Sequence, residues 1–411
     1  MYLTYTFLLY AALAAASPYY AIRFRRYLPT LKDRLGFLQI PRLRRTVWIH
    51  AVSVGEVRSV QRLVEKLRPC YPGQPIVLST ATPAGQGLAR DTAGLADHVF
   101  YFPLDLPGSI RRTLDHVDPE LVLIAETEIW PNFLRECRRR KIRVLMINGR
   151  ISDRSLPRYR IVKPWLKRVL KDYTLLGMQS EIDRERIESI GADSAKVTVL
   201  GNLKYDAINA ARPLEPELTR VLKQCQPLWI AASTTHGEEE QVLAAFAELR
   251  TRFPRLTLLL APRHPERFKE VAQLVESLGL RLARRTEMPG LEINRPVLLL
   301  DSIGELASTF EFASVVFMGG TLVPRGGHNI LEPAIFSKPI VFGPHMENFR
   351  EIGDLFIEER AAIQVRNGEE LAKAVANLLS DSDAAAELGE NARRVVERNA
   401  GATEKVLAYL K

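Results

Sequence analysis

Cysteine is scarce in this chain. Only Cys70, Cys137 and Cys225 occur in 411 residues, far apart and without a CxxC pair. That excludes a disulfide framework or a cysteine zinc site and suits reduced thiols in a cytosolic setting. Histidine is thin as well, with seven residues and no HExxH. No clustered His/Cys set suggests a metal, so neither a metal nor another cofactor is expected. GxGxxG and GxxxxGK[ST] are also missing, so neither a dinucleotide fingerprint nor a P-loop is signalled. No nucleic-acid motif accompanies the net charge of +9, so that partner is set aside. An anionic membrane or a phosphorylated substrate remains for the basic surface.

The sharpest absence is local. Residues 1–22, MYLTYTFLLYAALAAASPYYAI, hold no Asp, Glu, Lys or Arg. That is about the 20 residues a helix needs to cross a bilayer. Tyr2, Tyr5, Tyr19 and Tyr20 lie near its ends, where interfacial aromatics are favoured. A basic segment over 23–45 follows, with Arg23, Arg25, Arg26, Lys32, Arg34, Arg42, Arg44 and Arg45. Charge placed after the apolar run predicts an uncleaved anchor, or at least a deep interfacial helix, with the body on the cytoplasmic side. The competing reading is a cleaved signal peptide, because AAAS resembles a cleavage site. A signal peptide carries its positive charge ahead of the apolar core, and here there is none.

The rest is ordinary folded-protein composition, 46% hydrophobic and 26% charged, enough for two or three domains. Short apolar β-rich runs alternate with helical patterns: 46–52, 75–80, 98–102, 121–126, 143–149, 174–179 and 197–201, then 228–233, 256–262, 297–301, 314–320, 339–343 and 362–365. Near-continuous apolar strands separated by helices predict parallel sheets covered on both faces. The fold class is therefore α/β, with two Rossmann-like domains facing each other across a cleft as the simplest architecture. The expected domains are 46–205 and 227–381, joined by a polar, proline-spiked linker over 206–226. Helices in 382–411 are expected to pack back across the join.

In such sheets, ligands sit beyond the carboxyl ends of the strands. The residues there are mostly polar and glycine-containing: SVGE, STATPAG, ETEIWPN, NGRIS and GNLKYD in the first half, STTHGEEE, PRHPER, SIGEL, GGTLVPRGGHN and GPHMENF in the second. The stretch GGHNILEP, 326–333, is the most specific. Its glycines let a ligand approach the backbone, and amides at a helix N-terminus bind anions. Asn329 can cap that helix, and Glu332 in its first turn can accept two hydrogen bonds from a ribose diol. The plain alternative is a glycine turn with an Asn cap.

Seven ordered blocks, HAVSVGE, ETEIWPN, NGRIS, GNLKYD, APRHPER, GGHNILEP and FGPHMENF, span essentially the whole chain. In that order the sequence resembles the 3-deoxy-D-manno-octulosonic acid (Kdo) transferases of lipopolysaccharide assembly. The resemblance implies an inverting glycosyltransferase of the GT-B fold. It implies transfer of Kdo from CMP-Kdo to a lipid A precursor, lipid IVA, at the cytoplasmic face of the bacterial inner membrane, with membrane lipids as a further partner. Carried over to this sequence, it implies that Glu56 is the general base and that Glu126 and Lys204 support the transition state. It further implies that CMP is contacted by Pro262, Arg263, Ile303, Gly304, Glu305, Asn329, Ile330, Leu331 and Glu332. Arg263 could hold the phosphate as a bidentate donor. Ser53-Val54-Gly55-Glu56 also fits a helix capping box, and that reading of Glu56 stays open. His264 and His328 read as hydrogen-bonded structural histidines. Two rivals stand beside this reading: a UDP-sugar transferase acting on another lipid, and a membrane-anchored adaptor without activity.

Overall fold

The computed structural model describes residues 2–23, 25–207, 213–287 and 296–410, and of residues 16–23 and 25–27 it gives the backbone alone. Two compact units share the chain. One is Met1–Ala207 with Asn399–Lys411, the other Ile208–Arg398.

The first unit is built on seven strands: β1 (Thr46–His50), β2 (Ile76–Thr80), β3 (His98–Tyr101), β4 (Pro119–Ala125), β5 (Arg143–Gly149), β6 (Leu175–Met178) and β7 (Val197–Val199). They form one parallel sheet in the order β3-β2-β1-β4-β5-β6-β7. Side chains alternate across it. Val47, Ile49, Leu121 and Leu123 enter the core on one face; Trp48, Val122 and Ile124 enter the other. Helices cover both faces because their apolar residues recur at helical spacing. The helix Val54–Leu67 buries Val57, Val60, Leu63, Val64 and Leu67 along one stripe. Each such side chain contributes about 1.5–3 kcal/mol as an upper bound. The strand order reverses between β1 and β4, which opens the crevice where such sheets bind ligands.

The second unit repeats the plan with β8 (Leu228–Thr234), β9 (Thr257–Pro262), β10 (Leu282–Arg284), β11 (Val297–Leu299), β12 (Val315–Met318), β13 (Ile340–Phe342) and β14 (Ile363–Gln364). The order is β10-β11-β9-β8-β12-β13-β14, again parallel, and it reverses between β8 and β12. Two irregularities mark carboxyl ends of strands, one in each sheet. The register slips at Asn148 in β5 and at Ser233 in β8, and both residues adopt left-handed backbone, φ 56° and 53°. Such bulges re-aim the chain where a strand ends.

Two sequence expectations change here. Residues Tyr2–Arg23 do form a helix, but among the described residues no helix is long and apolar enough to cross a membrane. The run is diluted by five tyrosines and by Thr4, Thr6 and Ser17. Part of its polarity serves the protein instead. The Tyr2 hydroxyl donates to Asp172 Oδ2 at 2.6 Å, Thr6 bonds Asn132, and Tyr5 packs against Trp165 at 5.6 Å. The side chains of Tyr19, Tyr20, Arg23, Arg25 and Arg26 lie outside the described residues. The expected linker also shrinks. Residues 208–212 are outside the described residues, but Pro216–Gln224 is a helix that buries Leu218, Val221 and Leu222. Past the second sheet, Ser382–Asn399 is one long helix and Ala402–Leu410 another. The latter places Ala402 and Val406 in the core of the first unit, beside Val57 and Val60.

Candidate active site

Glu56 stands at the N-terminus of the helix that follows β1. Ser53 is the N-cap, and its side chain accepts from the Glu56 amide. The Glu56 carboxylate reaches back, taking the Val52 N–H at 2.7 Å and the Ser53 hydroxyl at 2.9 Å. This is a capping box shifted by one residue, since the amide reached belongs to Val52 rather than to the cap itself. The box does not exclude chemistry. Burial, and then the charge of Glu126, raise the Glu56 carboxyl to about 7, against the pull of the Val52 and Ser53 hydrogen bonds. A carboxyl poised there has the acidity that a general base needs near neutral pH.

Glu126 follows β4, the strand beside β1. Its backbone is left-handed, φ 59°, an uncommon state for a residue with a side chain. Thr127 holds the loop by bonding both the amide and the carbonyl of Arg150. Glu128 completes a carboxyl trio; burial and the Glu126 charge raise it, too, to about 7. Nothing in the sequence reading singled out Glu128, although a second acid two residues after Glu126 was a visible signal. Lys204 lies on the short turn Leu203–Tyr205 after β7, where its amide donates to the Asn202 cap at 3.0 Å. The structure thus gathers Glu56 and Glu126 around the β1/β4 reversal and brings Lys204 to the same edge of the sheet.

In the second unit, Pro262 closes β9 inside the core while Arg263 turns outward. The Arg263 amide donates to the Thr234 carbonyl at 2.9 Å, which fastens it to the end of β8. Ile303 is 80% exposed beyond β11, and Gly304 has φ 91°. The Glu305 carboxylate is committed inside the protein, to Arg285 at 2.8 Å and to the Ser302 hydroxyl. Burial opposes its charge, but those partners more than offset it and hold the group below the usual carboxylate range. A ligand at this corner would meet Ile303 and Gly304 rather than the Glu305 charge.

The segment 326–333 departs from its sequence reading. The helix there is a single turn, Leu331–Ala334, and Ile330 occupies its cap position with no side-chain cap bond. Asn329 instead accepts the Leu331 amide at 3.2 Å and donates to Glu332 Oε1 at 3.3 Å, which aligns the two polar side chains. Ile330 and Leu331 are core residues, so only their backbone can face a ligand. The glycines also have a local cause. A Cβ at Gly326 would lie 2.4 Å from Asn348 Nδ2, and one at Gly327 2.6 Å from Met346 Sδ. Both have positive φ, 87° and 75°. The positive φ favours glycine at both positions, and the crossing segment 345–348 tightens the space further, whatever binds beside it.

What fixes this loop is a residue the sequence reading passed over. Glu238 is 0% exposed and accepts five hydrogen bonds: from the Thr235 amide and hydroxyl, and from the amides of Gly320, Thr321 and Leu322, at 2.6–3.0 Å. It ties the loop after β8 to the loop after β12, across the strand reversal of the second sheet. A buried carboxylate is tolerated only when its oxygens are this fully satisfied. The signal was present as Thr235-x-x-Glu238, the same spacing as Ser53-x-x-Glu56.

Known proteins match this arrangement along the chain. Residues 29–207 fit the family model of 3-deoxy-D-manno-octulosonic-acid transferase (kdotransferase). The 3-deoxy-D-manno-octulosonic acid transferase of Haemophilus influenzae is 36% identical over 396 residues, 95% of this chain and 93% of that one. The enzyme of the same name from Bordetella pertussis is 31% identical over 400 residues, 93% and 91% of the two chains. Among solved structures, Staphylococcus aureus MnaA bound to UDP aligns over 89% of this chain and 96% of its own, with a TM-score of 0.57 and 14% identity. That likeness speaks to the fold alone, two parallel-sheet α/β domains of the kind found in GT-B glycosyltransferases. With relatives this similar over both units, the chain belongs to the 3-deoxy-D-manno-octulosonic acid transferases, a family of glycosyltransferases.

Proposed function

We propose that this chain transfers Kdo from CMP-Kdo to the lipid A precursor lipid IVA in lipopolysaccharide biosynthesis, in one displacement that inverts the anomeric centre. The observation that carries the reading is Glu56: a carboxyl raised to about 7, held in place by Val52 and Ser53, at the strand reversal of its sheet. As the acceptor hydroxyl attacks, Glu56 takes its proton. Lys204 offsets negative charge that develops in the transition state. Arg263 neutralises the departing phosphate of CMP. Glu332, aligned by Asn329, accepts the ribose hydroxyls, and the backbone of Ile303 and Gly304 borders the base or ribose.

The protein works at the cytoplasmic face of the inner membrane, and the support for that is a surface. Leu3, Phe7, Leu8 and Tyr10 stand exposed on the docked N-terminal helix. Trp165, which packs on Tyr5, brings the neighbouring segment with exposed Ile161 and Val162 beside it, among Arg158, Arg160, Lys163 and Lys167. Apolar side chains set among cations suit a helix lying in the lipid interface rather than across it.

The test is the product. The full chain is incubated with CMP-Kdo and lipid IVA, and the lipid is weighed by mass spectrometry. A gain of one or more Kdo residues, with thermal stabilisation by CMP and not by UDP, is the expected result. An unchanged lipid, or stabilisation by UDP alone, overturns the reading.

A further inference from the structure

The segment Asn148-Gly149-Arg150 has no part in the reaction proposed above, yet it is joined to both residues that flank the chemistry. Asn148 leaves the strand geometry at φ 56°, where the register of β5 against β6 slips. Asparagine is one of the few side-chain-bearing residues that enter this region readily. It is 1% exposed. Its Oδ1 accepts the Leu203 amide at 2.9 Å, and its carbonyl accepts Gln179 Nε2 at 3.0 Å. Gln179 Oε1 in turn accepts Asn202 Nδ2 at 2.9 Å, and Asn202 Oδ1 accepts the Lys204 amide at 3.0 Å. Two successive amides of the turn, those of Leu203 and Lys204, are therefore held by one relay that begins at Asn148.

The same segment faces the other way towards Glu126. The Ile147 carbonyl accepts the Glu126 amide at 2.8 Å, and the Arg150 amide donates to Thr127 Oγ1 at 2.8 Å. Residues 147–150 thus grip the chain at Glu126 and at its next neighbour. There is little room for the segment to settle elsewhere. A Cβ at Gly149 would fall 2.8 Å from Met178 Sδ and 3.1 Å from the Gly177 carbonyl. The Asn148 Nδ2 has no hydrogen-bond partner among the described residues. An unusual backbone state and a buried donor left unsatisfied are costs that a fold bears where geometry is over-determined, and such places cluster at functional sites.

We infer that Asn148 is a positioning residue: through the Gln179–Asn202 relay and its bond to Leu203 it fixes Lys204 relative to Glu126. The inference rests on the roles proposed for Lys204 and Glu126. Asparagine suits the position because it accepts the left-handed backbone and still offers an oxygen to Leu203. Glycine would keep the backbone state and lose the oxygen. Displacing a reactive group by about 1 Å can cost about 100-fold in rate without weakening substrate binding.

The experiment is a double-mutant cycle on the full chain, with CMP-Kdo and lipid IVA as substrates and melting temperature measured for each variant. Asn148→Gly is expected to lower kcat by about 10- to 100-fold while the KM for CMP-Kdo stays within about twofold. Lys204→Ala is expected to lower kcat as well. The double variant is expected to be no worse than Lys204→Ala by more than about threefold, because a residue acting through another adds nothing once the other is gone. If Lys204→Ala turns over like the parent, the role of Lys204 fails and the inference falls with it. If Lys204→Ala is impaired but Asn148→Gly is not, or if the two losses multiply, the inference alone is overturned. Should Asn148→Gly melt early, Asn202→Ala removes the last link of the relay and is read by the same outcomes.

Discussion

The charge of Glu126 adds to burial in raising the pKa of Glu56. The two carboxyls leave adjacent parallel strands at the reversal of the first sheet, and after burial the Glu126 charge is the largest influence raising Glu56 to about 7. Turnover should therefore rise with pH along an acid limb centred near 7, since only the ionised form can take a proton. Glu126→Gln should move that limb to lower pH, while Glu56→Gln should abolish it and lower kcat by about 10² to 10⁴. Stability runs the opposite way. A carboxyl whose folded value is raised stabilises the fold fully below its ordinary value of 4.5, and that contribution is lost as pH rises through about 7. Relative to the parent, Glu56→Gln should thus gain melting temperature between pH 5 and pH 8, because a glutamine can still accept the Val52 amide. Stopped assays and thermal melts across that range check both. Near-parent turnover in Glu56→Gln would return this residue to a purely capping role.

The second prediction separates holding a loop from touching a ligand. Glu332→Ala should weaken CMP binding by about 1–3 kcal/mol and move the melt less than Glu238→Gln does, since inside the protein it gives up the 3.3 Å hydrogen bond from Asn329. Glu238→Gln puts an NH₂ group where an oxygen now accepts amide hydrogens. It should destabilise the second unit by about 1–3 kcal/mol and weaken CMP as well, because the loop that leads to Asn329 and Glu332 loses its brace. Calorimetry with CMP and urea unfolding make the comparison. An unaltered urea midpoint in Glu238→Gln would show that the brace contributes nothing.

The third prediction concerns the N-terminal helix. Replacing Phe7 and Leu8 together by Asp should reduce binding to anionic vesicles at least tenfold and leave the melt within about two degrees, since both side chains are exposed. Tyr2→Phe should instead lower stability by about 1 kcal/mol, because Asp172 Oδ2 loses the Tyr2 hydroxyl while Arg138 keeps Oδ1. Vesicle flotation at low and high salt reads the first effect. Binding that survives the double substitution and disappears in salt would assign the attraction to the basic segment alone.

Thirteen of the fourteen strands were legible in the sequence because burial on both faces writes itself as a continuous apolar run. β10 was not: Leu282-Ala283-Arg284 is three residues at a sheet edge and carries too little apolar signal. The strand ends were legible as places where polar residues gather, and that alone puts Glu56, Glu126 and Arg263 on the correct edges of their sheets. What the sequence could not show is which orphan groups a polar side chain meets. Glu238 finds the Gly320 amide 82 residues away, and Asn148 finds that of Leu203 across 55. No local period encodes either bond. The glycines of 326–327 carried only half of their story for the same reason: a residue type reports that space is tight, not whether a ligand or Met346 makes it so. The left-handed Glu126 was invisible too, because its backbone state is imposed by the strands around it rather than by its own preference.

The closing helix, Ala402–Leu410, belongs to the first unit although the second unit precedes it in the chain. Asp206, just ahead of the crossing into the second unit, accepts the Gly401 and Thr403 amides and pins the returning segment to the place from which the chain left. Order of synthesis and order of completion therefore differ. The second unit has all its own residues once the ribosome has passed Arg398, while the first, made earlier, still lacks Ala402 and Val406 from its core. Until residue 410 is made, the nascent first unit carries an apolar scar over the helix Val54–Leu67, the same helix whose first turn holds Glu56. A stalled or clipped chain would be wounded beside Glu56, far in sequence from where it was cut.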